Sequence, residues 1–148
     1  MATLLVSDIH LHSARPETAR RFRTFLADTA RAARTLYILG DLFDAWAGDD
    51  DLGDPFNRDI CAALIALADA GTHVFVMPGN RDLLMGKRLE QASSAKLLAD
   101  PTLIDLYRAG RFPFDRLVKF YPFAAINRAI ADARKGDTIK PVVRIGNS

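Results

Sequence analysis

The chain has 148 residues, the size of about one domain and enough to bury roughly two-thirds of its unfolded surface without disulfide staples. Apolar residues make up 49% and charged residues 26%, which excludes a disordered composition. The single cysteine, Cys61, excludes an intrachain disulfide and fits a reducing compartment, and the absence of an apolar run of about 18 residues excludes a spanning helix.

The net charge of +2 hides a split. Residues 1–100 carry 11 Lys/Arg and 14 Asp/Glu, whereas residues 101–148 carry 9 and 4. An acidic body with a basic end suggests chemistry in the first part. For the end it leaves two readings, a surface for an anionic partner or a solvated helix face.

The opening MATLLVSDIHLH reaches Asp8 and His10 too early for a secretory leader and has no basic start, so no signal peptide is expected there. Thr3–Ser7 is a short apolar run of strand type. Pro16 opens a helix with Glu17 in its first turn and Phe22, Phe25, Leu26 and Ala30 at helical spacing. Thr35–Leu39 is a second strand, stopped by Gly40. Residues 41–54 read as an acidic loop. Pro55 to Ala70 is a second helix, its apolar side formed by Ile60, Cys61, Leu64, Ile65 and Leu67, with Gly71 as its stop. His73–Met77 is a third strand, closed by Pro78-Gly79. The order βαβαβ predicts an α/β fold with a parallel sheet and right-handed crossovers.

Ligands of parallel sheets bind beyond the carboxyl ends of the strands. Asp8-Ile9-His10 follows the first strand, Gly40-Asp41-Leu42-Phe43-Asp44 the second, and Gly79-Asn80-Arg81-Asp82 the third. Each loop brings an oxygen or nitrogen donor to one rim. Carboxylate, imidazole and amide oxygen together suit a divalent ion such as Mn²⁺, Fe²⁺ or Zn²⁺ better than a soft thiolate-bound one. A pair of such ions about 3.5–4 Å apart can activate water and clamp phosphoryl oxygens. Taken singly, each aspartate is equally a turn residue or a helix cap; it is their recurrence at three successive strand ends that favours a metal. Asp44, Asp49, Asp50 and Asp51 read as a solvated loop with a cap rather than a second metal cluster. Trp46 is expected to be a packed loop anchor, and Cys61 a small core hydrophobe.

The succession D-x-H, G-D and G-N-R-D resembles the opening half of the calcineurin-like metallophosphoesterases. The surroundings ILGDLFDAWAGDD at 38–50 and GNRDLLMGKR at 79–88 are similar to the UDP-2,3-diacylglucosamine diphosphatases of bacterial lipid A biosynthesis, from residue 1 to about residue 109. The resemblance implies the first half of an α/β/β/α sandwich in which Asp8 and His10 ligate a first Mn²⁺, Asp41 bridges two ions and Asn80 ligates the second. Another divalent metal could substitute. It further implies substrate contact by Asn80 and Arg81, with Asp41 and Arg81 as the catalytic pair. The implied reaction is hydrolysis of the pyrophosphate of a lipid-linked UDP-sugar at the α-phosphorus, giving UMP and 2,3-diacylglucosamine 1-phosphate. The implied location is peripheral, on the cytoplasmic face of the inner membrane.

The family's later His-Gly-Asp and Gly-His-x-His segments are not recognisable, and the only histidines are His10, His12 and His73. Two alternatives therefore stand beside the hydrolase: a non-catalytic fragment without the later metal histidines, and a metallophosphoesterase for another nucleotide or phosphodiester. Thr102–Tyr107 alternates like a strand. The expected division is a metallophosphoesterase-like part, 1–112, and a basic helical tail, 113–148. In that tail Phe114, Leu117, Val118 and Tyr121 lie at helical spacing, as do Ile126, Ile130 and Ala133, with Pro122 separating two pieces. The tail is a relic of the family's helical, lipid-facing insertion, unrelated sequence after a frameshift, or the start of a truncated product. It carries no recognisable nucleic-acid-binding motif.

Overall fold

In the computed structural model, residues 2–98, 108–110, 118–136 and 140–144 are described. Two compact units form, Met1–Asp100 and Pro101–Ser148. The expected boundary at residue 112, the run Thr102–Tyr107, and Phe114 and Leu117 lie outside the described residues.

In the first unit, the apolar runs become parallel strands β1 (Thr3–Val6), β2 (Thr35–Leu39) and β3 (His73–Met77). Between them lie helices α1 (Pro16–Ala27) and α2 (Pro55–Asp69). A short helix α3 (Lys87–Ser93) and a two-residue strand β4 (Lys96–Leu97) complete a parallel sheet of order β1-β2-β3-β4. Sequence periodicity had not marked α3 or β4, because neither is long enough to show a period.

Both long helices begin on proline, which needs no intrahelical N–H partner at that position. On α1, Glu17 takes hydrogen bonds from Arg20 and Arg21, and these guanidinium groups hold its carboxyl below the usual range. On α2, Asp54 is the cap, its carboxylate accepting the Phe56 amide at 2.8 Å. Strand β2 is central, and Leu36 and Ile38 on it are fully buried. They meet Val74 and Val76 of β3, Phe22 and Leu26 of α1, Ile60, Cys61, Leu64 and Leu67 of α2, and Leu89 of α3 in one core. Cys61 is the expected core hydrophobe, and burial pushes its thiol up to about 11. In the alternate register Tyr37 stacks on Phe75, ring centroids 5.0 Å apart.

The second unit is a smaller βαβ element. Strands β5 (Val118–Pro122) and β6 (Lys140–Arg144) pair in parallel around helix α4 (Ile126–Lys135). The expected helical tail holds for α4, which ends on Gly136 at φ 80 with Arg134 and Lys135 in its last turn. It does not hold for Val118 and Tyr121. VKFYP is a run of β-branched and aromatic residues ahead of a proline, and its strand preference outweighs an accidental three-residue spacing. Tyr121 is buried, and its hydroxyl donates to Asp132 at 2.7 Å. Among the described residues no helix is long and apolar enough to cross a membrane.

Candidate metal centre

The three loops after β1, β2 and β3 are stitched into one rim by continuing the strand ladder. The Asp8 amide donates to the Gly40 carbonyl, the His10 amide to the Asp41 carbonyl at 2.9 Å, and the Leu11 amide to the Leu42 carbonyl at 2.8 Å. The Gly40 amide reaches the Met77 carbonyl, and the Trp46 amide reaches the Arg81 carbonyl. Beneath the rim, Trp46 stacks on Phe43, centroids 4.9 Å apart, and is 3% exposed, a packed anchor as expected.

Asp8, His10 and Asp41 each have a positive φ, between 52° and 55°. Among the described residues Ser94 is the fourth non-glycine residue in that region. The left-handed conformation costs an L-residue roughly 1–2 kcal/mol, least for the Asp, Asn and His class found here. Such strain concentrates at functional sites. One ligand atom from each of these three side chains lies within 4.8 Å of the others. His10 Nε2 stands 3.9 Å from Asp41 Oδ2. Two carboxylates and an imidazole, Asp8 exposed, His10 half-buried and Asp41 buried, converge as a donor set that fits a divalent cation of hard or borderline character.

Asp44 borders the cluster on its outer side. Its Oδ2 pairs with Arg15 at 2.7 Å, while its Oδ1 lies 3.5 Å from His10 Nδ1 and 3.6 Å from Arg81. The Arg15 guanidinium holds the Asp44 carboxyl below its ordinary range. Arg81 donates its amide to Asp41 Oδ1 at 3.0 Å, and its side chain is half exposed. Asn80 sits on the same loop with an exposed side chain.

The other acidic residues have structural roles. Asp49 accepts the Gly86 and Arg88 amides at the start of α3, Asp50 pairs with Arg88, and Asp51 accepts the Ala47 amide. Nor do the two remaining histidines join the rim. His12 Nδ1 accepts the Ala14 amide, and His73 opens β3 at the sheet's other end.

Asp82 is the residue whose part the loop sequence concealed. It is 0% exposed, and its carboxylate accepts the amides of Gly79 at 2.6 Å, Asp41 at 3.2 Å and Phe43 at 3.1 Å. The cue in principle is that loops leaving a sheet carry unpaired N–H groups that require an acceptor.

Residues 1–140 match the calcineurin-like phosphoesterases, and the chain belongs to that family. Membership implies a divalent metal. The resemblance read from the three motifs is borne out by relatives named UDP-2,3-diacylglucosamine hydrolase. The chain is 52% identical to one from Pseudomonas fluorescens strain SBW25 over 104 residues, 70% of this chain and 41% of that protein. It is 49% identical to one from Pseudomonas aeruginosa strain PAO1 over 107 residues, 72% and 44% of the two lengths. A third, from Chromohalobacter salexigens, is 51% identical over 108 residues, 73% and 44%. The chain spans less than half the length of these curated relatives. A solved alcohol dehydrogenase zinc-binding domain protein from Burkholderia ambifaria aligns with 99% of this chain and 50% of that one at 19% identity and TM-score 0.32, too loosely to bear on fold or function.

Proposed function

We propose that this chain carries the cation-binding half of a Mn²⁺-dependent hydrolase that cleaves the pyrophosphate of UDP-2,3-diacylglucosamine into UMP and 2,3-diacylglucosamine 1-phosphate. The carrying observation is the convergence of Asp8, His10 and Asp41 at the rim, within the part of the chain similar to hydrolases bearing that substrate's name. Bound divalent cations supply an activated water and neutralise charge on phosphoryl oxygens. Asp8, His10 and Asp41 would hold a first cation, and Asp41 and Asn80 would contribute to a second. Asn80 and Arg81 face the substrate. What supports phosphate contact by Arg81 is its exposed guanidinium, 3.6 Å from Asp44, whose other oxygen pairs with Arg15 at 2.7 Å.

A lipid-linked substrate is favoured over a soluble diester by Leu83 and Leu84, 67% and 61% exposed directly after Asp82. Lys119, Arg128, Arg134 and Lys135 give the second unit a basic character. They support peripheral contact with an anionic membrane surface, on the cytoplasmic face of the inner membrane.

Purified chain with Mn²⁺ is expected to release UMP from UDP-2,3-diacylglucosamine, and Asp41→Ala to abolish release. Preference for a soluble nucleotide or phosphodiester would point to a different substrate. The histidine count supports one further reading, a non-catalytic fragment without the later metal histidines, because neither His12 nor His73 reaches the rim. Tight calorimetric binding of two Mn²⁺ by the monomer would contradict that fragment, and no UMP release above background would overturn the hydrolase.

A further inference from the structure

Among the described residues Asp82 and Asp41 are the buried acidic side chains, and Asp82 is the more deeply buried, at 0% against 8%. A carboxylate in such a place must be fully hydrogen-bonded. It has three amide donors, all from the rim loops: Oδ1 accepts from Gly79 and Asp41, and Oδ2 from Phe43. The residue it grips, Asp41, is the one whose carboxylate joins the cation cluster and whose backbone is held at φ 53. The Asp41 carbonyl in turn accepts the His10 amide at 2.9 Å. One buried side chain thus anchors the residue, Asp41, that is one of the three clustered ligands and whose carbonyl holds the backbone of a second, His10.

We infer that Asp82 is a positioning residue for the cation site: its carboxylate holds Asp41 in the left-handed conformation and, through the Asp41 carbonyl, fixes His10. The inference rests on the metal-centre assignment above. Loss of Asp82 leaves every ligand in place but frees the backbone that aims them. Its effect therefore falls on cation affinity beyond any general loss of stability.

The test compares melting of the full chain with and without Mn²⁺, since a cation that binds only the folded state raises the melting temperature according to its affinity. Wild type is expected to gain. Asp82→Asn conserves volume but sets an amide donor against a backbone donor. It is expected to lose most of the Mn²⁺-induced gain, corresponding to roughly 10–100-fold weaker binding. Thr72→Val removes a buried hydroxyl bonded to the Ala30 and Ala33 carbonyls, away from the rim. It is expected to lower both melts equally and keep the gain. An Asp82→Asn gain equal to wild type would overturn the inference. No gain in wild type would overturn the metal centre as well. Should Asp82→Asn fail to fold, Mg²⁺ titration of the wild-type chain decides by NMR. The Phe43 and Gly79 amide resonances, bonded to Asp82, are expected to shift saturably together with that of Asp41. If they stay still while Asp41 moves, the coupling is refuted.

Discussion

Asp41 and Asp82 hold each other's loops: Asp82 Oδ1 accepts the Asp41 amide at 3.2 Å, and Asp41 Oδ1 accepts the amide of Arg81, the residue before Asp82, at 3.0 Å. Two buried carboxylates from different strand ends thereby lock two loops, Asp82 the more deeply buried of the two. The cost of burying the first is offset by its three amide donors.

This division of labour separates charge from shape at Asp41. Asp41→Asn keeps an oxygen for the Arg81 amide but removes the negative charge from the cluster. Metal-free stability is expected to change by no more than about 1 kcal/mol. Mn²⁺ affinity by calorimetry is expected to fall by more than the ~10–100-fold typical of outer-shell losses. Undiminished Mn²⁺ binding would exclude Asp41 as a ligand.

Gly79 is required by proximity. A Cβ added there would fall on the carboxylate and amide of Asp41. Gly79→Ala must displace Asp41, with an expected loss of about 1–3 kcal/mol from overpacking. The Mn²⁺-induced rise in melting temperature should also be lost. Wild-type denaturation midpoints, with and without Mn²⁺, would contradict the contact.

The Asp54 cap is independent of the rim. Asp54→Ala leaves the Phe56 amide without its acceptor at the start of α2, for an expected loss of about 1 kcal/mol in urea unfolding. Cation affinity should not move. A larger loss of affinity than of stability would mean that α2 reports to the site.

Cys61 sets a pH expectation. Burial raises its thiol from 9.0 to about 11 in the folded chain. The folded state thus binds this proton more tightly than the unfolded one. Its contribution to stability is complete below pH 9.0 and is lost as the pH climbs toward about 11. Cys61→Ala should flatten that alkaline decline. Iodoacetamide at pH 8 should label the wild-type thiol only when denaturant is present. Rapid labelling of the folded chain would show the thiol to be accessible.

Much of the fold was legible because its strands are short, apolar and bounded by breakers. Thr35–Leu39 and His73–Met77 form as read, and Pro16 and Pro55 start helices as read. The run VKFYP misled because two apolar residues three apart satisfy a helical period by chance in so short a segment. Its strand has a partner, Lys140–Arg144, that lies far along the chain. Helix α3 is too short to show a period, and its first amides are capped by Asp49 from another loop.

From its sequence alone the chain determined a parallel sheet with carboxylate- and imidazole-bearing loops at one rim, because strand, turn and donor type are local properties written in adjacent residues. Only the tertiary structure decided which of those aspartates converge, which cap helices, and that Asp82 is buried beneath the rim. Those outcomes depend on which amide from one loop finds its acceptor on another. Such pairing is settled by the packing of the sheet and not by neighbours in the chain.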